Sequence, residues 1–115
     1  MQNKGDCGAE PSPIELRRCI LGLLYELFRE HPYAAVELRQ IEEDCRVDVK
    51  ALNWNLVYLE KCGLVELGTA VQCPPYIASA VSLTARGIDL VEDAALFEER
   101  FPRPDPGRKV DGHDL

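Results

Sequence analysis

A chain of 115 residues, 46% of them hydrophobic, holds one domain with a modest core and is too apolar for wholesale disorder. No apolar run approaches a membrane span, and no basic-then-apolar leader opens the sequence, so a cytoplasmic protein without a membrane partner is expected. The net charge of −7 argues against a broad phosphate-binding surface, which needs clustered Lys and Arg; any nucleic-acid contact must come from a local patch.

Residues 1–11 are Gly-, Asn- and charge-rich without periodicity and read as a flexible leader containing Cys7. Ser12-Pro13-Ile14-Glu15 carries three agreeing helix-start signals: a cap, a proline at the first helical position and a capping-box Glu. The first helix runs to about Glu30, with Leu16, Ile20, Leu23, Leu24, Leu27 and Phe28 as its buried stripe and Arg17, Arg18, Glu26, Arg29 and Glu30 on its wet face. His31-Pro32 stops it, because the residue before proline is pushed out of the helical region. A turn over Pro32–Ala35, with a minimal strand at Ala34, precedes a short second helix from about Val36 to Asp44.

The third helix is the best patterned. Asp48 caps it, Val49, Leu52, Leu56 and Leu59 recur at helical spacing, and Gly63 supplies the left-handed residue that ends it. The period then switches to two. Leu64–Leu67 reads as a strand, Gly68–Tyr76 as a loop stiffened by Pro74-Pro75, and Ile77–Leu83 as the return strand. Thr84 caps a fourth helix, Ala85 to about Glu99, in which Gly87 is a slight weakness. The domain is expected over residues 12–100, followed by a Pro-, Gly- and charge-rich flexible tail over 101–115.

Helix, turn, helix, helix, strand, loop, strand, helix resembles the order of a winged helix-turn-helix, which implies an α+β, mostly helical fold with a three-helix core, a two-stranded β-wing and a C-terminal helix. Leu56-x-x-Leu59-Glu60-Lys61-x-Gly63-Leu64-Val65 and Ser82-Leu83-Thr84-x-x-Gly87 resemble the segments that join recognition helix to wing, and wing to next helix, in proteins of the MarR, PadR and ArsR type. The size, the Leu83–Gly87 stretch and the Pro/Arg-rich tail also resemble small winged-helix proteins of Mu-like phages and prophages. These resemblances imply a small cytoplasmic transcriptional regulator, a possible homodimer through its terminal helices, with Asp48–Cys62 in the major groove of double-stranded DNA and Gly68–Tyr76 as the wing.

On that reading the partner-binding residues are Arg46, Lys50, Asn53, Trp54, Val57, Tyr58 and Lys61. The lysines suit phosphates, Asn53 suits adenine, and Trp54 or Tyr58 suits a thymine methyl or the backbone. Two alternatives stand beside it. Trp54 and Tyr58 are large enough to pack against the wing or the first helix. With Val57 they also form a patch suited to a protein partner, and the winged helix would then be an interaction module without DNA binding. The wing favours this alternative, having no Lys or Arg to grip flanking phosphates. If Leu90, Leu96, Phe97 and Phe101 exceed what one chain can bury, a two-fold dimer would hide the surplus.

Five cysteines at scattered positions read as reduced thiols. ArsR-type sensors use paired thiolates near the helix-turn-helix, and Cys19, Cys45, Cys62 and Cys73 are the residues the fold could bring together. No C-x-x-C pair exists, and His31 and His113 sit at a helix end and in the tail, so neither a metal nor any other cofactor is expected. There is no phosphate loop, nucleophile elbow or His/carboxylate constellation, so no enzymatic activity is expected.

Overall fold

The computed structural model describes residues 12–68 and 74–103. The expected leader with Cys7, wing positions 69–73 with Cys73, and the chain from 104 onward with His113 lie outside the described residues. Among the described residues are five helices and one three-stranded sheet.

Helix α1 (Pro13–Glu30) begins with the expected capping box. Ser12 Oγ accepts from Glu15 N, and Glu15 Oε1 accepts from Ser12 N, each at 3.2 Å. Its fully buried residues are Leu16, Ile20, Leu21 and Leu24, while Leu23, Leu27 and Phe28 are only half-buried. The buried arc is turned toward Leu21 because α1 is the central rod, touched by helices and sheet on several sides.

The second helix starts later than its apolar spacing suggests. Val36–Glu37 form a strand, β1, and α2 spans Leu38–Cys45. The expected strand at Ala34 and the expected helix start at Val36 are both corrected by this pairing, in which Val36 faces Val81 and Glu37 faces Ala80. The sheet therefore has three strands, not the expected two. Strand β3 (Ala80–Leu83) lies between β1 and β2 (Val65–Gly68), antiparallel to both. Val81, buried, stands opposite Val36 on one side and Leu67 on the other.

Helix α3 (Val49–Lys61) is capped by Asp48, whose Oδ1 accepts from Ala51 N at 2.8 Å. At its other end Gly63 has φ 78°, and the 6→1 and 5→2 bonds of a Schellman motif form, Leu64 N to Leu59 O and Gly63 N to Glu60 O. Leu59 and Leu64 are both buried, so the same motif turns the chain into β2.

The expected single C-terminal helix is two. Helix α4 spans Ala85–Glu92 and α5 spans Ala94–Arg100. Asp93 both ends the first and caps the second, its Oδ1 accepting from Leu96 N at 3.1 Å. The break turns Phe97 and Phe101 into the core. Arg18, expected on the wet face, locks this corner. It donates to Phe101 O and to Glu98, each at 2.7 Å, and lies 4.6 Å from the Phe97 ring centroid. Arg103 and Arg18 together hold the Glu98 carboxyl below its ordinary pKa.

Candidate functional site

On a helix of about 3.6 residues per turn, positions 50, 54, 57 and 61 lie opposite 52, 56 and 59. The buried set Leu52, Leu56 and Leu59 therefore dictates an outward stripe of Lys50, Trp54, Val57 and Lys61. Both lysines are exposed, one near each end of α3, and Trp54 between them is 50% exposed. This stripe was legible in the sequence.

Tyr58 and Asn53 flank the stripe on opposite sides. Tyr58, 37% exposed, turns toward α1. Asn53 turns toward the wing, where both ends of its amide are engaged: Nδ2 donates to Pro75 O at 2.9 Å and Oδ1 accepts from Ile77 N at 3.0 Å. Its role in this structure is to dock the base of the wing on α3. Tyr76 continues that docking onto α2 by donating its hydroxyl to Glu42, and this bond raises the Tyr76 pKa. Arg46 sits at the helix-turn-helix corner in a left-handed conformation, φ 55°. It shares a surface groove with Arg39, Glu42, Glu43 and Tyr76, so its neighbours there are two carboxylates and a second cation rather than residues of the stripe.

Two residues of this site were not anticipated. Asn55 lies in the buried arc of α3 and is 1% exposed. A buried amide must find partners, and it does: Nδ2 donates to Ala51 O, and Oδ1 accepts from Arg17 Nε, each at 2.8 Å. Arg17, held this way, spreads over the aromatic flank, its guanidinium carbon 3.7 Å from the Tyr58 ring centroid and 5.7 Å from that of Trp54. Among the described residues Arg17 forms no ion pair with a carboxylate. The aromatic residues thus do pack toward α1, through the Arg17 cation, and still remain on the surface. The signal in the sequence was a polar residue at a core position, three after Leu52 and one before Leu56.

Three cations lie on or beside this face of an acidic chain. Arg17, Lys50 and Lys61 frame Trp54 and Tyr58, with Glu60 on the wing side engaged by Leu67 N at 3.4 Å. Among the described residues no cluster of three or more His, Cys, Asp or Glu is arranged to hold a metal ion, and no helix is long and apolar enough to cross a membrane.

Neither a protein-family model nor a curated protein sequence matches the chain. Solved structures do. S. aureus MepR in a DNA-binding conformation matches with 19% identity and a TM-score of 0.54, over 87% of this chain and 65% of that one. A MepR mutant from a multidrug-resistant S. aureus clinical isolate matches with 22% identity and a TM-score of 0.55, over 84% of this chain and 62% of that one. Lactococcus lactis ZitR in complex with DNA matches with 16% identity and a TM-score of 0.52, over 100% of this chain and 69% of that one. The chain thus spans less than two thirds of the MepR chains. At these identities the likeness is one of architecture, and it establishes that this chain has the winged helix-turn-helix fold.

Proposed function

We propose that this chain is a small DNA-binding transcriptional regulator, a binding protein and not an enzyme, that inserts α3 into the major groove. The observation that carries this reading is the outward stripe of α3, with Lys50 and Lys61 near its ends and Arg17 alongside. Helix insertion places such a stripe against base edges and flanking phosphates. The likeness to MepR in a DNA-binding conformation and to DNA-bound ZitR supports it, and supports the MarR-type resemblance. It is silent on the phage-encoded one. Leu90, Phe97 and Phe101 are buried within one chain, so the apolar surplus expected to drive a dimer shrinks to Leu96 on α5, and Ile14 on α1 is a further exposed apolar residue on a terminal helix. A two-fold pairing through those helices would set two half-sites.

Duplex titration at several salt concentrations tests this. Affinity falls steeply with salt, and Lys50→Ala or Lys61→Ala each flattens the log–log slope by about one unit. Unchanged slopes in both variants would remove α3 from the interface. Half-exposed Trp54 beside Val57, on a fold whose wing has no Lys or Arg, favours the second reading, a protein-interaction module. Absence of duplex binding at low salt, with capture of a protein partner abolished by Trp54→Ala, would establish that reading instead.

A further inference from the structure

We propose that Cys19 and Cys45 are a redox-active dithiol, oxidised by small peroxides to an intrachain disulfide that pins α1 to α2. The two sulfur atoms are 2.6 Å apart, although the residues are 26 positions apart in sequence and sit on different helices. Cys19 lies in the middle of α1 and Cys45 is the last residue of α2, one before the helix-turn-helix corner.

Their surroundings divide the chemistry between them. Cys19 is exposed and opens onto a surface cavity of about 530 Å³, lined also by Gly22, Leu23, Glu26 and Asp44. Cys45 is buried behind it. An oxidant from solvent therefore meets Cys19 first. The thiolate is the nucleophile in such reactions. A hydrogen bond from the Cys45 thiol lowers the Cys19 pKa to about 7, against partial desolvation and the Asp44 carboxylate, while the Cys45 thiol is pushed up by donating that bond. Of the charged groups around the cavity, Glu15, Glu26 and Asp44 are acidic and the one cation, Arg18, is already paired with Glu98, so the balance disfavours anionic oxidants and leaves a small neutral one, hydrogen peroxide, as the fitting class.

The step balances. The Cys19 thiolate attacks one peroxide oxygen; an S–O bond forms, the O–O bond breaks, and the departing hydroxide takes up the thiol's proton as water. Cys19 is then a sulfenic acid. The Cys45 sulfur attacks the Cys19 sulfur; the S–S bond forms, the S–O bond breaks, and hydroxide leaves with the Cys45 proton as a second water. Two thiols lose two electrons in all and one peroxide gains them. Because the sulfurs are already adjacent, closure does not require the two helices to be brought together first. Its consequence is a cross-link that constrains the unfolded chain and so stabilises the folded one. The inference is independent of what α3 binds.

The test treats the full chain with stoichiometric hydrogen peroxide, blocks remaining thiols by alkylation, and maps tryptic peptides without reduction. The expected product joins the peptide Cys19–Arg29 to the peptide Gln40–Arg46, and Tm rises by about 5 °C or more, reversibly with dithiothreitol. Cys19→Ser, at an exposed position that the fold does not need, abolishes both. Cys45→Ala leaves a Cys19 sulfenic acid that dimedone traps. Recovery of both cysteines alkylated after peroxide, cross-links to a different cysteine, or a cross-link with no rise in Tm would overturn the proposal.

Discussion

Gly87→Ala is expected to cost about 3 kcal/mol of stability, although alanine is the better helix former by about 1 kcal/mol. The cause is the joint between the two sequence motifs. Thr84 donates its backbone N–H to Leu64 O at 3.0 Å and its hydroxyl to Gly63 O at 2.7 Å, and its Oγ1 accepts from Gly87 N at 3.1 Å. These bonds draw the first turn of α4 onto the end of α3 and the start of β2. A Cβ on Gly87 would collide with the Leu64 carbonyl oxygen and approach Leu83 Cδ1 to 2.9 Å. The Leu83 side chain can move, but the carbonyl is fixed by its bond from Thr84. Gly22, in the middle of α1, is the control: a Cβ there meets nothing within 4 Å. Gly22→Ala is therefore expected to gain about 1 kcal/mol. Urea denaturation of both variants reads the opposite signs directly, and a loss in both would refute the packing argument.

Leu56→Ala is the other large effect, about 2–5 kcal/mol, because it leaves a cavity that neighbours refill only in part. Leu56 is fully buried between Leu52 and Leu59, at the centre of the one face α3 gives to the core. Val57, the next residue, is half-exposed on the outward stripe, and Val57→Ala is expected to cost under about 1 kcal/mol. Equal costs at adjacent positions would mean that the helix is rotated from the orientation described above.

Local signals in the sequence located most elements. Ser12, Asp48 and Thr84 cap helices where short-range hydrogen bonding says they should, and Gly63 ends α3 by a backbone rule. What escaped depends on tertiary contact. Val36–Glu37 read as the start of a helix, yet the edge of β3 claimed them as a strand. Asp93 fits a helix interior as well as a cap, and the choice was made by the pull of Phe97 and Phe101 into the core. Gly87 read as a weakness because propensity does not see the Leu64 carbonyl. At the site, the stripe from Lys50 to Lys61 follows from periodicity alone. Arg17 does not, since its place depends on a bond to buried Asn55 across two helices. Nor does the Cys19–Cys45 contact, which requires the packing of α1 against α2 and leaves no spacing motif.

On the proposed function, duplex DNA meets the outward face of α3. The chain contains one tryptophan, and it stands in the middle of that face, half-exposed. Its intrinsic fluorescence during titration with duplex DNA at low salt is therefore the most direct measurement. A saturable change in Trp54 emission, reversed as salt is raised, is the predicted result. Duplex binding that leaves the emission unchanged, or no binding at low salt, would contradict it.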